Sequence, residues 1–234
     1  VRGRIPSELN EDVAFRIGVG IASYFSAETV VVGYDIRPSS MDILNALTKG
    51  MNSQGAKVFS IGLCGTEEIY FATNHLSTDA GVMITASHNP ADYNGLKIVG
   101  KGAKPVSLDT GLGEIKKIAD TAKSDLNIVP DIEIVNVKNE YIEKILEFID
   151  PNSIKPMHIV MNAGNGCAGP IVDMLEVKLP ITITKIQNEP DGSFPNGIPN
   201  PLLPENRDIT SKAVIENSAD LGIAWDGDFD RCFF

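Results

Sequence analysis

The chain has 234 residues, 43% of them hydrophobic and 22% charged, with a net charge of −11. That length allows one large or two small cores, and the acidic balance argues against nonspecific nucleic-acid binding and against an anionic membrane surface. No apolar run approaches the roughly 18 residues that span a bilayer, and no signal peptide is visible. Cys64, Cys167 and Cys232 are odd in number and far apart, which fits neither a disulfide framework nor a zinc site and suits a reducing cytoplasm. The opening Val1 and the apolar closing run Cys232-Phe233-Phe234 lead us to expect a piece of a longer protein at both ends.

Arg2-Gly3-Arg4 reads as a flexible end or as part of an anion site. Asn10 is placed to cap a helix, with Glu11 and Asp12 in its first turn and Ala14, Ile17, Ile21 and Phe25 at helical spacing. Thr29 to Tyr34 is a β-branched run, hence a buried strand, and Asp35 to Ser40 is a loop. A helix with Leu44, Leu47 and Met51 on one face follows, with Gly55 near its end. Val58 to Leu63 is a strand, Thr66 is placed to cap a helix to about Leu76, and Ala80 to Thr85 is a third strand. Leu96 to Val99 is a short returning strand, and Asp109 opens another helix.

A helix over Asn139 to Ile149 joins this unit to a second cycle. There, strand His158 to Met161 leads into the turn Asn162-Ala163-Gly164-Asn165-Gly166 and a helix to about Glu176. Strand Ile181 to Ile186, a long polar loop over 188–207, a helix from Asp208 and strand Ala219 to Trp225 complete it. Strands alternating with helices predict two α/β units in tandem with mainly parallel sheets. A boundary between 138 and 139 separates them.

Two polar loops at strand ends carry the chemistry, the usual place for reacting groups in open α/β sheets. Ser87, His88 and Asn89 follow the apolar strand Val82 to Ile84, and Tyr93-Asn94-Gly95 has turn composition that would bring Lys97 back toward them. The same composition is that of a plain polar turn. Asp226, Asp228 and Asp230 are spaced to share one face of an extended segment. Crowded carboxylates repel without a cation, and hard oxygen ligands suit Mg²⁺. A solvated acidic turn and a structural Ca²⁺ loop are the alternatives. An EF-hand is not, because Arg231 stands where its glycine belongs. Asn162 to Gly166 is either a phosphate-cradling turn or a tight packing turn. Asp35 and Arg37 also lie on a strand-end loop, where a part in the site and a structural salt bridge are both open.

Thr85-Ala86-Ser87-His88-Asn89-Pro90, Asn94-Gly95-Leu96-Lys97 and Asp226-Gly227-Asp228-Phe229-Asp230-Arg231, in that order and separation, resemble the α-D-phosphohexomutases. Asn162 to Gly166 and Asn200-Pro201-Leu202 agree. The resemblance covers nearly the whole chain. Phe229, where many members have Gly, together with Gly65 to Phe71 and Pro195 to Pro201, looks like the bacterial phosphomannomutases that feed GDP-mannose synthesis.

That resemblance implies three-layer α/β domains with mixed, mainly parallel sheets. Residues 1–138 would be domain 1 with the phosphoserine loop, and 139–234 a truncated domain 2 with the metal loop. Domains 3 and 4, which read the sugar and clamp its phosphate, would lie outside. It implies reversible conversion of mannose 6-phosphate and mannose 1-phosphate through phosphorylated Ser87 and a bisphosphorylated sugar. Mg²⁺ would be held by Asp226, Asp228, Asp230 and a phosphoserine oxygen. Lys97 and His88 would transfer protons, with Arg231 and Arg2 supplying cations. A lysine near its ordinary value of ~10.4 needs burial or nearby cations for a basic role. Phosphoglucomutase or dual specificity is the rival within enzymes. The 234-residue piece alone could be an inert metal-binding scaffold. A metal-dependent phosphatase lacks support, since nothing resembles an Asp nucleophile motif.

Overall fold

The structure is a computed structural model describing residues 1–234. It divides into two compact units: Val1–Ala86 with Asp92–Asn136, and Ser87–Ala91 with Val137–Phe234. Residues 87–91 thus fold with the second unit although the first surrounds them in sequence. No helix is long and apolar enough to cross a membrane.

The first unit runs β1 (Arg2–Arg4), α1 (Glu11–Phe25), β2 (Thr29–Tyr34), α2 (Ser40–Asn52), β3 (Lys57–Leu63), α3 (Thr66–His75), β4 (Ala80–Ile84), β5 (Tyr93–Gly100), β6 (Lys104–Pro105), α4 (Leu112–Thr121) and β7 (Ile132–Ile134). Its sheet has the order β1-β5-β4-β2-β3-β7, with β6 beside β5. The β4-β2-β3-β7 part is parallel, and β5 joins β4 and β1 antiparallel. The period-2 alternation of strands sorts the sheet's two faces. Val30, Val32, Val82 and Ile84 meet Ile17, Ile21, Leu47 and Ile115 of α1, α2 and α4 in one cluster. On the other face a Cβ at Gly33 or Gly81 would strike Ile69 of α3.

Helices α1 and α2 cross at very short range. A Cβ at Gly18 would lie 2.2 Å from the Leu47 carbonyl oxygen, and one at Gly50 would lie 2.0 Å from that of Phe15. The Asn10 cap forms as expected, its side chain accepting from the Val13 amide at 3.0 Å.

Other local expectations shift. Arg2-Gly3-Arg4 is an edge strand paired with Tyr93–Gly95, because its alternate Gly3 is buried while both arginines stay exposed. Tyr93–Gly95 is accordingly the start of β5 and not a turn; the chain reverses within 87–91. Thr66 is the first helical residue and not the cap, since Gly65 occupies that place with its amide donated to Glu68 Oε2 at 2.9 Å. Asp109 sits in a short 3₁₀ turn, and Gly111 at φ +146° separates it from α4.

Asp79 ties the start of β2 to that of β4. Its Oδ2 accepts the amides of Glu28 and Thr29, each at 3.0 Å, and the Thr29 hydroxyl at 3.3 Å. These bonds, the Thr29 amide foremost, hold its carboxyl below the usual range. A depressed folded value means stability that is present above the unfolded carboxyl's ~3.9 and is lost as pH falls through the folded value. Asp79→Ala should therefore destabilise the chain by about 1 kcal/mol at pH 7. The gap to wild type should close below pH ~4, read from urea midpoints across pH.

The second unit runs α5 (Lys138–Leu146), β8 (His158–Asn162), α6 (Gly169–Glu176), β9 (Thr182–Ile186), α7 (Asp208–Glu216), β10 (Leu221–Trp225) and β11 (Cys232–Phe233). Its sheet order is β11-β10-β8-β9, parallel except for the β10-β11 hairpin. The cluster at its centre is Ile159, Met161 and Val172. The long loop over 188–207 is ordered around Asn165. The Asn165 carbonyl accepts the Asp191 amide, its Nδ2 donates to the Glu189 carbonyl, and its Oδ1 accepts from Asn196, all at 2.9 Å. Phe194 is buried within that loop.

Candidate active site

Strand β10 ends at Trp225, and the next six residues form a turn. Phe229 donates its amide to the Asp226 carbonyl at 3.1 Å, and Arg231 donates its amide to Asp226 Oδ1 at 3.2 Å. The expectation of an extended segment is thus corrected: Asp226, Asp228 and Asp230 converge because the chain curls. Phe229 at φ +46° takes the left-handed conformation that this curl needs. Ligand oxygens of the three carboxylates lie within 4.8 Å of one another, with Asp226 and Asp228 buried and Asp230 exposed.

Ser87 comes to this turn. Its Oγ donates to Asp226 Oδ2 at 2.7 Å across 139 positions of sequence. Backbone approach is equally close, since a Cβ at Gly227 would lie 2.8 Å from the Ser87 carbonyl oxygen. Ser87 is itself left-handed, at φ +54°, and buried. Such a conformation in a non-glycine residue persists only where its surroundings impose it, and it concentrates at working sites.

Arg231 draws the group together. Its Nη2 lies in contact with Ser87 Oγ, Asp226 Oδ2 and His88 Nδ1. Ser87 Oγ lies 3.2 Å from that same Nδ1. Burial first, and the neighbouring Asp228 carboxylate second, push the Asp226 carboxyl up to about 6, against the Ser87 hydrogen bond and the Arg231 charge. The pocket therefore places negative charge at an energetic cost, which is the condition under which a bound cation is strongly favoured.

Lys97 and Arg2 belong to the first unit. Lys97 lies on β5 opposite Met83, and its Nζ donates to Thr66 Oγ1 at 3.0 Å at the start of α3. Arg2 is exposed on β1, opposite Gly95. The turn Asn162 to Gly166 is a packing element. Its amides are taken internally, Asn165 donating to the Gln187 carbonyl at 2.7 Å and Gly166 to that of Ala163 at 2.9 Å; the next amide, Cys167, donates to the Gly227 carbonyl at 3.0 Å, and a Cβ at Gly166 would strike Gly227. It thereby supports the aspartate turn from behind. The tight packing turn offered by the sequence is thus the one formed; that it packs on the aspartate turn is not legible there beyond the pair Gly164 and Gly166 directly after a strand.

A buried serine, convergent carboxylates and a permanent cation form a set suited to handling phosphoryl groups, gathered within the second of the two α/β units. Comparison with known families assigns both. Residues 1–125 match the model described as phosphoglucomutase/phosphomannomutase, alpha/beta/alpha domain I, and residues 139–234 match that of domain II. The chain belongs to the phosphoglucomutase/phosphomannomutase family. It is 53% identical over 236 residues to a protein named phosphohexose mutases from Xanthomonas campestris pv. campestris, covering 100% of this chain and 52% of that one. It is 50% identical over 243 residues to a phosphomannomutase of Salmonella typhimurium, covering 100% and 53%. A crystal structure of a phosphoglucomutase/phosphomannomutase family protein from Burkholderia thailandensis superposes with a TM-score of 0.85 at 33% identity, over 99% of this chain and 52% of that one. The chain thus spans about half the length of the relatives it matches.

Proposed function

We propose that the full-length protein interconverts mannose 6-phosphate and mannose 1-phosphate, with Ser87 as the phosphoryl carrier. The observation that carries the reading is the 2.7 Å hydrogen bond between Ser87 Oγ and Asp226 Oδ2. It sets a hydroxyl against one of three convergent carboxylates. Names of relatives at about half identity support the mannose phosphates as substrates.

In the forward direction the bond from phosphorus to Ser87 Oγ breaks and one to a sugar hydroxyl oxygen forms, giving a bisphosphorylated sugar. Reversal at the sugar's other phosphate regenerates phosphoserine. Arg231 stabilises the charge that builds on Oγ as it leaves, since a charge-assisted hydrogen bond to an ionised oxygen is roughly twice as strong as a neutral one. When Ser87 is the acceptor, its proton passes to His88, whose Nδ1 lies 3.2 Å from Oγ. Lys97 is assigned to the sugar hydroxyl proton and Arg2 to the substrate's anionic charge. Three carboxylates in mutual reach, two of them buried, fit a hard divalent ion. Asp226, Asp228 and Asp230 would hold Mg²⁺, whose charge would neutralise the transferring group. The 234 residues alone are expected to bind metal without turnover.

The name phosphohexose mutases on the Xanthomonas relative favours a second reading, in which glucose phosphates are also substrates. Full-length protein should convert mannose 1-phosphate, and chelation of divalent ions should stop the reaction until Mg²⁺ is restored. Intact mass should show a one-phosphate excess mapping to Ser87. Equal rates on glucose 1-phosphate would establish the dual activity. Turnover that persists under chelation, or phosphate mapped elsewhere, would defeat the proposal.

A further inference from the structure

Asp35 and Arg37 sit at the end of β2, buried and paired, with Arg37 Nε 3.1 Å from Asp35 Oδ2. Nothing in the proposed reaction uses them. An ion pair taken out of water recovers its desolvation cost only with good geometry and further hydrogen bonds, and this one has them. Asp35 Oδ1 accepts the Arg37 amide at 3.1 Å and the Ser40 hydroxyl at 2.9 Å. Burial raises the Asp35 carboxyl; the Arg37 charge and a Thr85 hydrogen bond act against that rise. Arg37 Nη1 donates to the Tyr93 carbonyl at 3.0 Å. Ser40 Oγ also accepts from Asn94 Nδ2 at 3.1 Å.

The residues reached are Thr85 on one side of the serine loop and Tyr93 and Asn94 on the other. The backbone repeats the pattern, with the Asp35 amide donating to the Ile84 carbonyl and the Thr85 amide to the Gly95 carbonyl, both at 2.9 Å. The network therefore fixes both ends of a short excursion that contains a left-handed serine. A short loop with pinned ends has few conformations left, and that restriction is what a strained φ needs in order to persist.

We infer that Asp35 and Arg37 are positioning residues that hold Ser87 in its reactive placement by clamping the two stems of its loop. This rests on Ser87 being the phosphoryl carrier proposed above. Misplacing a reacting oxygen by about 1 Å costs on the order of a hundredfold in rate, so the clamp should act on kcat and leave sugar-phosphate binding alone.

The test uses the full-length protein carrying Arg37→Lys, which keeps a cation beside Asp35 but loses the planar fork that also reaches Tyr93. Amide exchange over residues 86–92 should quicken at least about tenfold while that of α1 and α2 stays unchanged. The value of kcat should fall about tenfold to a hundredfold with KM within about twofold. If Arg37→Lys fails to fold, Ser40→Ala decides by the same two measurements, with about threefold changes expected. Unchanged exchange over the loop, or a rise in KM at constant kcat, would overturn the inference. Should Ser87→Ala retain activity, the reaction proposed for Ser87 fails by itself, and loop exchange still reports whether the clamp exists.

Discussion

Ser87→Ala in the full-length protein should lower mannose 1-phosphate turnover at least about a thousandfold, a loss of some 4 kcal/mol of transition-state stabilisation. Alanine offers no oxygen to carry a phosphoryl group. The fold should survive. Alanine tolerates φ +54° as poorly as serine does, so the backbone strain is unchanged, and removal of one donor from the buried Asp226 carboxylate costs about 1 kcal/mol. Ser87→Gly should be as inactive but about 1 kcal/mol more stable than Ser87→Ala, from relief of the left-handed conformation. Thermal unfolding and coupled-assay rates on the two variants separate chemistry from stability. Full activity in either would remove the phosphoserine from the scheme.

Gly50→Ala should destabilise the chain by about 3 kcal/mol. Helix propensity alone predicts the opposite sign, a gain of about 1 kcal/mol. The contact decides it. The new methyl would lie 2.0 Å from the Phe15 carbonyl oxygen, a backbone atom that cannot rotate away, so α1 and α2 must separate and open the interface formed by Ala14, Ile17, Ile21, Ile43 and Leu47. Gly18→Ala meets the Leu47 carbonyl in the same manner. A urea midpoint that rises in Gly50→Ala would show that the helices do not touch there.

The glycines also show where the sequence stops being readable. Apolar periodicity places α1 and α2 well, because Ala14, Ile17 and Ile21 or Leu44, Leu47 and Met51 declare one buried face. It does not say that two helices meet backbone to backbone, since Gly18 and Gly50 contribute nothing to a hydrophobic pattern and read as weak points. The strand-end positions of Ser87 and of the three aspartates were legible because residue type and spacing carry them. The curl of residues 226–231 was not. Asp-x-Asp-x-Asp fits an extended segment as well as a turn, and only the positive φ at Phe229 decides between them. That many relatives by resemblance place Gly there was the available clue. Strand β7 went unseen because it is an edge of three residues with exposed Glu133 and Ile134, which leaves no period to detect. Tyr93-Asn94-Gly95 has turn composition for another reason. Asn94 is fully buried and bonded to Ser39 and Ser40, and Gly95 admits the Val1 carbonyl, 2.4 Å from where a Cβ would be.

Five residues, 87–91, leave one compact unit for the other and then return. A single cut in the gene therefore cannot yield two self-sufficient halves. Truncation after residue 136 would strand the hydroxyl-bearing pentapeptide without its bed, and a clone starting at residue 137 would lack it altogether. Anyone swapping halves between relatives inherits this interleaving: a chimaera joined at one junction mates a serine hairpin from one parent with an aspartate cradle from another.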